Sequence, residues 1–194
     1  VYLSSSSVYE KEFIGKFNEN SELRNNESYA KNHLAAEETL SLNSSDDLKV
    51  IILRVSNLFG INCASNLKNG IYGANKIIFD ALQREIKLSD SSQMRNFLPM
   101  DYFIKLIPKL YLYNDKVLKI NIGYKDSSLI KLAKLIKKRV EYFHNNSVKI
   151  IINKKNIKKN YKYSSIYFNE KKEDKIFTSQ IDNTIKFFKN IKLL

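Results

Sequence analysis

The chain has 194 residues, of which 43% are hydrophobic and 27% charged, and its formal net charge is +13. Its single cysteine, Cys63, excludes an internal disulfide, and two histidines are too few for an ordinary zinc site of cysteine and histidine ligands. No apolar run approaches the ~18 residues of a membrane span, and no signal peptide is recognisable. We therefore expect a cytoplasmic globular protein with no bound metal and no membrane contact.

The positive charge has two interpretations. It could mark a nucleic-acid partner, or it could reflect composition, because Lys, Asn and Ile are frequent throughout the chain. The densest basic stretch, NKKNIKKNYKYSS at residues 153–165, is predicted to be a solvated face or loop. We favour the compositional interpretation and expect no nucleic-acid partner.

The first predicted element is a short buried strand over residues 1–3, which runs into four serines and then a long loop over 10–28. Good helix formers predict a helix over 29–42. The run KVIILRV, residues 49–55, predicts a parallel strand covered on both faces, because it is apolar and β-branched without alternation. Residues 57–68 are predicted to form a loop.

The second half of the chain continues the alternation. Helices are predicted over 72–84 and 100–112, the latter kinked or split at Pro108. A strand over 117–122 follows, then a helix with an apolar stripe from 129 to 140, whose start Ser127 and Ser128 can cap. A strand over 148–152 and a helix over 180–191 complete the chain. Alternating strands and helices predict an α/β fold with parallel strands.

Four motifs occur in order: LSSSSVY from residue 3, YAKNHLAAEE from 29, ILRVSNLFG from 52 and RNFLPMD from 95, the last followed by NIGYKDSSL from 121. In this order and spacing they resemble the extended short-chain dehydrogenase/reductase family, in particular its NAD-dependent nucleotide-sugar epimerases and dehydratases. The family forms are similar to SSxxVYG, YxxxK, LRxxNxxG, RDFxxVxD and NIGxG. The resemblance extends from residue 1 to about 140.

The resemblance implies the C-terminal half of a Rossmann-type doubly wound parallel sheet plus a small mixed α/β substrate-binding region. We expect residues 1–66, with 96–125 returning to them, in the NAD-binding domain, and 67–95 and 126–194 in the substrate-binding region. The glycine-rich NAD motif G-x-x-G-x-x-G is absent. We therefore expect an N-terminally truncated fragment that binds NAD poorly, is inactive alone, and is unstable because apolar surface is uncovered.

By the same resemblance, Ser5 contacts the reacting sugar oxygen. Tyr29 is the acid/base that moves the proton of a sugar hydroxyl while hydride passes to or from NAD. A free phenol has a pKa of about 10 and is a poor base at neutral pH, so nearby positive charge must lower that pKa. The family supplies this charge from a lysine four residues later, on the same helix face.

In this sequence His33 occupies the position of that lysine. The resemblance makes Tyr29 and His33 cofactor contacts, because an imidazole can hydrogen-bond the nicotinamide ribose. A free imidazole, with a pKa of about 6.5, is mostly neutral at neutral pH and is a weaker activator than an ammonium group. Alternatively, His33 is a tolerated polar helix residue in a non-catalytic homologue. Both interpretations remain open at this point.

Binding roles also follow from the resemblance. Ser56 matches a position that touches the nicotinamide, and Ser6 and Ser7 are expected to line the sugar pocket. Asn57 matches an asparagine that approaches the substrate diphosphate or sugar, and Arg95 an arginine whose N–H donors bind the nucleotide diphosphate. The structural alternatives are a turn-forming asparagine and a surface arginine.

The sequence thus predicts a nucleotide-sugar epimerase that uses NAD (or NADP), oxidises a sugar carbon transiently, and is a homodimer when complete. Polysaccharide biosynthesis is the expected context. Dehydratases commonly carry Asp and Glu where this chain has Ser6 and Ser7, which favours epimerase or reductase chemistry. The alternative is a degenerate homologue that binds a nucleotide-sugar or a protein partner without turnover.

Overall fold

A computed structural model describes residues 1–9, 14–61, 71–90, 92–153, 161–168 and 172–190. The strands in these ranges are β1 (Tyr2–Ser5), β2 (Gly15–Phe17), β3 (Val50–Val55), β4 (Asn57–Phe59), β5 (Glu85–Leu88), β6 (Met94–Pro99), β7 (Val117–Ile122), β8 (Lys125–Ser128), β9 (Lys149–Ile152) and β10 (Tyr161–Tyr163). The helices are α1 (Ser28–Leu42), α2 (Gly73–Leu82), α3 (Met100–Leu110), α4 (Leu129–His144) and α5 (Asp174–Asn190).

The main sheet is parallel and has the order β1-β3-β7. In its register Ser5 lies opposite Val55, and Val55 lies opposite Ile122. The central strand β3 buries Ile52 and Leu53 completely, as expected for an apolar run covered on both faces. The predicted parallel α/β architecture is therefore confirmed.

A second, mixed group of strands lies beyond the main sheet. Strand β6 pairs in parallel with β4 and antiparallel with β8, while β5 pairs with β9 and β2 with β10, both in parallel. Mixed pairing of this kind agrees with the expected mixed α/β region. The division of the chain into two domains at the stated boundaries stays a prediction.

One large apolar core packs the helices against these strands. Helix α4 contributes Leu132, Ala133, Ile136 and Val140, which is the stripe that the spacing predicted. Its start is capped by Ser128, whose hydroxyl accepts from the Lys131 amide at 3.4 Å. Helix α5 adds a second buried face, whose fully buried apolar side chains are Phe177, Ile181, Ile185 and Phe188.

Several segments predicted as loops contain short strands. Residues 10–28 include β2, residues 57–68 begin with β4, and residues 153–165 end with β10, whereas 62–68 and 154–160 lie outside the described residues. Strands β5, β6 and β8 were also not predicted. All six of these unpredicted strands are three to six residues long. They are extended because they pair with strands distant in sequence, and local periodicity does not mark them.

For two predicted helices the structure differs in detail: the helix that contains Pro108 is not split, and the last helix starts earlier than predicted. Pro108 lies inside a single helix, α3, because it occupies the last turn and its missing amide leaves only the carbonyl of Ile104 unpaired, a residue that is 55% exposed. Helix α5 begins at Asp174, six residues before the predicted start at residue 180. Within the described ranges no helix is long and apolar enough to cross a membrane.

Candidate functional site

The four serines form a turn at the carboxyl end of β1. Ser5 precedes a 3-10 turn, Ser6–Val8, and its hydroxyl oxygen accepts from the backbone amide and the hydroxyl of Ser7, at 3.2 and 2.9 Å. Ser4 and Ser6 are buried, whereas Ser5 and Ser7 are half-buried. Because both of these bonds use lone pairs of Ser5, its own hydroxyl proton remains available to a ligand.

Ser4 connects this turn to a buried ion pair. Its hydroxyl donates to Glu37 of α1 at 2.5 Å, and Arg54 of β3 donates to the same carboxylate through Nε and Nη2, at 3.0 and 2.7 Å. The side chains of Arg54 and Glu37 are only 4% and 2% exposed. Burial raises the pKa of Glu37, but the hydrogen bonds from Arg54 and Ser4 outweigh it and hold that pKa below its usual range.

The same network reaches the third strand of the sheet. Arg54 Nη1 donates to the Tyr9 hydroxyl at 2.9 Å, and that hydroxyl donates to Asn121 Oδ1 of β7 at 2.8 Å. Asn121 in turn donates from Nδ2 to the Ser164 carbonyl at 3.0 Å. A connected set of satisfied buried groups therefore fixes the serine turn relative to α1, β3 and β7.

Tyr29 and His33 lie on helix α1, which packs against β1 and the serine turn. Tyr29 is 61% exposed, and its ring meets that of His33 edge to face with centroids 4.6 Å apart. His33 Nδ1 lies 2.8 Å from the Tyr2 hydroxyl. The predicted acid/base and its i+4 neighbour are thus in contact, as helical spacing requires. Among the described residues, Ser5 and Tyr29 share no hydrogen bond.

Ser56 and Asn57 both bind one buried asparagine. The Ser56 hydroxyl donates to Asn96 Oδ1 at 2.7 Å, and Asn57 Nδ2 donates to the Asn96 carbonyl at 2.9 Å. Asn96 Oδ1 also accepts from the Tyr124 amide, while its Nδ2 donates to Asp126 at 2.8 Å. An aspartate here, as in the family form RDF, has no N–H for Asp126 and would repel it.

Asn57 and Arg95 line one cleft of about 240 Å³, which opens beyond the carboxyl end of β3. Lys87 and Gln93 also line it, and no carboxylate belongs to its described lining. Lys87 is paired with Glu85 at 3.0 Å. The guanidinium of Arg95 and the side-chain amides of Asn57 and Gln93 suit an anionic ligand, and the size of the cleft fits part of a sugar nucleotide.

The charge of Arg95 also acts on strand β10. Burial and the Asp126 carboxylate raise the pKa of the Tyr161 phenol, and the positive charge of Arg95 opposes them. Arg95 Nη1 donates to the Met94 carbonyl at 3.2 Å. Its guanidinium is therefore held along strand β6, beside the cleft that Arg95 lines.

The cofactor implied by the resemblance fits these residues in part. Tyr29 offers an exposed phenol, and within the described residues no partner occupies His33 Nε2, so both groups suit the nicotinamide and ribose end of NAD. Ser56 is buried and its hydroxyl donates its proton to Asn96. The Ser56 oxygen can therefore only accept a hydrogen bond from a cofactor. The sequence contains no glycine-rich turn for the pyrophosphate.

The structure thus brings the predicted residues together in three groups: Ser5 with Ser6 and Ser7, Tyr29 with His33, and Ser56 and Asn57 with Arg95. Sequence reasoning gave no role to Glu37, Arg54 or Asn96, which hold these groups in place. The sequence does indicate that Arg54 has a buried acidic partner, because an arginine inside an apolar strand requires one. Within the described residues no His, Cys, Asp and Glu group could hold a metal ion.

Comparison with protein families gives one match. The sequence pattern of the NAD dependent epimerase/dehydratase family matches residues 1–123, which include the serine turn, the Tyr29 helix, the Asn57 strand and Arg95. Among curated protein sequences, none is similar enough to this chain to count as a match.

Solved structures share the fold at low sequence identity. They include UDP-N-acetylglucosamine 4-epimerase from Methanobrevibacter ruminantium in complex with UDP-N-acetylmuramic acid (TM-score 0.77, 21% identity, covering 98% of this chain and 62% of that one). Another is UDP-glucose 4-epimerase from Thermotoga maritima with UDP-glucose (TM-score 0.75, 17% identity, covering 97% of this chain and 62% of that one). A third is RMD from Pseudomonas aeruginosa complexed with NADPH (TM-score 0.74, 16% identity, covering 98% of this chain and 65% of that one). The chain therefore spans less than two thirds of the length of these proteins.

Proposed function

Because the chain belongs to the NAD dependent epimerase/dehydratase family, we propose that it acts on a nucleotide-sugar as an NAD- or NADP-dependent epimerase that oxidises a sugar carbon transiently. The observation that carries the proposal is the cleft shared by Asn57 and Arg95, at the carboxyl end of a parallel strand where such folds bind ligands. Two of the related structures contain UDP-sugars. We also propose a cytoplasmic homodimer.

In this proposal Tyr29 takes the proton of the reacting sugar hydroxyl. Ser5 aligns the same oxygen, because the two bonds that its hydroxyl accepts from Ser7 leave its own proton free to donate. His33 lies against Tyr29 and offers Nε2 to the cofactor ribose. When bound, NAD or NADP supplies the hydride acceptor that the sugar carbon needs.

Arg95 and Asn57 hold the substrate at its anionic end. The guanidinium presents several N–H donors in a fork that suits diphosphate oxygens, and the described lining of the cleft carries no opposing carboxylate. In this proposal Ser7, whose hydroxyl lies 2.9 Å from that of Ser5, meets the sugar, whereas Ser6 is buried and supports the turn. No carboxylate occupies either serine position, and this favours epimerisation over dehydration.

A second function, binding without turnover, is favoured by one observation. His33 replaces the ammonium group that the family places beside the tyrosine, and its Nδ1 is engaged by Tyr2 rather than by Tyr29. A neutral imidazole gives a phenolate less electrostatic support than an ammonium group does. A protein of this kind would retain the nucleotide-sugar cleft but would not exchange protons and hydride.

The test is calorimetric titration of the 194-residue chain with UDP-glucose and UDP-N-acetylglucosamine. Replacing Arg95 with alanine removes charge-assisted hydrogen bonds worth about 1.5–3 kcal/mol, so affinity should fall roughly ten- to hundredfold. Arg84→Ala is the matched control, because Arg84 is exposed and the change in net charge is the same. Absence of binding, or an equal loss in both variants, would contradict the assignment of the cleft.

A further inference from the structure

The imidazole of His33 is held from two sides by tyrosines. The Tyr2 hydroxyl of β1 lies 2.8 Å from Nδ1, with the two ring centroids 5.9 Å apart. On the other side, the ring of Tyr29 meets the imidazole edge to face at 4.6 Å. Tyr2 lies on the sheet and His33 on the helix that covers it, so this contact fixes the imidazole across two elements.

The Tyr2 phenol has a proton to donate in this hydrogen bond. Burial, and then the charges of Glu37 and Tyr29, raise the pKa of Tyr2, so the phenol keeps its proton at neutral pH. Among the described residues, His33 Nδ1 is the only hydrogen-bond partner of this hydroxyl. The O–H can therefore donate to Nδ1 in the ring form that leaves this nitrogen without a proton.

We propose that Tyr2 is a positioning residue for His33: its hydroxyl donates to Nδ1, holds the neutral imidazole in its Nε2–H form, and presents that N–H where the family presents a lysine ammonium group. The ring nitrogen that faces away from Tyr2 then carries a fixed donor. The orientation of the imidazole ring is further limited because the Tyr29 ring packs against it.

This arrangement separates two properties that a lysine combines. The Nε2–H can replace the hydrogen bond that an ammonium group gives to a ribose hydroxyl, but a neutral ring cannot replace its charge. What the donor binds rests on the proposed function, whereas the protonation of the ring does not. The inference can therefore be tested by a measurement that needs neither cofactor nor turnover.

The experiment is nitrogen NMR of the histidine side chains in the labelled 194-residue chain at about pH 8, well above the ordinary imidazole pKa of about 6.5. The chain has only two histidines, so His144 serves as an internal reference. Tyr2→Phe keeps the ring and removes the hydroxyl. Tyr111→Phe removes an exposed hydroxyl elsewhere and is the matched control.

In the parent chain we expect His33 to carry its proton on Nε2, with the Nδ1 resonance shifted upfield by the bond from Tyr2. Tyr2→Phe should move that resonance downfield and leave His144 unchanged, and Tyr111→Phe should move neither. A proton on Nδ1 in the parent chain overturns the proposal, whether or not the variant folds. An Nδ1 resonance that Tyr2→Phe leaves in place also overturns it. Failure to bind any sugar nucleotide would refute the proposed function instead.

Discussion

The buried ion pair between Glu37 and Arg54 gives a sharp stability prediction. Glu37→Gln keeps the shape of the side chain but removes the charge that neutralises a guanidinium only 4% exposed. Both carboxylate oxygens accept from Arg54, so the new amide NH₂ must face a donor. Removing one partner of a buried ion pair costs about 3–5 kcal/mol. We expect the free energy of unfolding to fall by that amount, a large part of an ordinary domain's stability.

The assay is urea unfolding followed by circular dichroism, with Glu38→Gln as the control. Glu38 is the next residue of the same helix and is exposed, so the control loses the same charge without opening a buried pair. Its free energy of unfolding should change by less than about 0.5 kcal/mol. Equal midpoints for the two variants would refute the view that the network holds the serine turn.

The stability that the pair of Glu37 and Arg54 contributes should be lost at low pH. The hydrogen bonds from Arg54 and Ser4 lower the pKa of Glu37 despite its burial, whereas an unfolded glutamate has a pKa of about 4.3. Its stabilising contribution is therefore complete above that pH and is lost as pH falls through the lower pKa of the folded state. The stability difference between the parent and Glu37→Gln should shrink on acidification over this range.

Three further outcomes are expected. Gly123→Ala would place a Cβ 2.6 Å from Asn96 Oδ1 and 2.7 Å from the Tyr163 ring, and urea unfolding should show a loss of about 1–3 kcal/mol; unchanged stability would contradict this packing. Ser128→Ala removes the cap of α4 and should cost about 1 kcal/mol, measured in the same way. A thermal melt of the 194-residue chain should not shift upward with NAD, because the glycine-rich turn is absent; an upward shift would contradict that expectation.

The parts of the fold that could be predicted are those with a strong local pattern. The run ending at Val55 has to be a buried strand, and the stripe from Leu132 to Val140 has to face a core. Strands β2 and β10 have three residues each and pair from opposite ends of the chain. No local period marks so short a strand, so tertiary pairing alone decides its conformation.

The candidate site likewise contains residues that the sequence motifs identify and residues that only tertiary packing reveals. Ser5, Tyr29, Asn57 and Arg95 could be chosen because motif spacing fixes their order. The burial of Glu37 could not be derived from its helix, because the apolar residues of α1 do not form one stripe and its buried side chains are Ala30 and Glu37. Arg54 inside an apolar strand signals that a buried acidic partner exists, but only the folded chain shows that this partner is Glu37.

The contact between Tyr2 and His33 likewise depends on packing between elements. In the sequence, His33 is a departure from the family pattern, and two interpretations are equally consistent with it. The structure adds a defined partner for Nδ1 and a ring contact with Tyr29. The histidine therefore has defined contacts on both sides of its ring, and its effect on activity becomes a question about charge.

The proposed function depends on proton exchange between Tyr29 and a sugar nucleotide held by Asn57 and Arg95. The most direct measurement follows UDP-glucose and UDP-N-acetylglucosamine by proton NMR, using residues 1–194 joined to a glycine-rich NAD-binding half. We expect a new anomeric signal with the parent, a rate of conversion lower by about 10²–10⁴-fold in Tyr29→Phe, and faster conversion in His33→Lys. Persistent binding of the UDP-sugar with no conversion by the parent or by His33→Lys would contradict the claim.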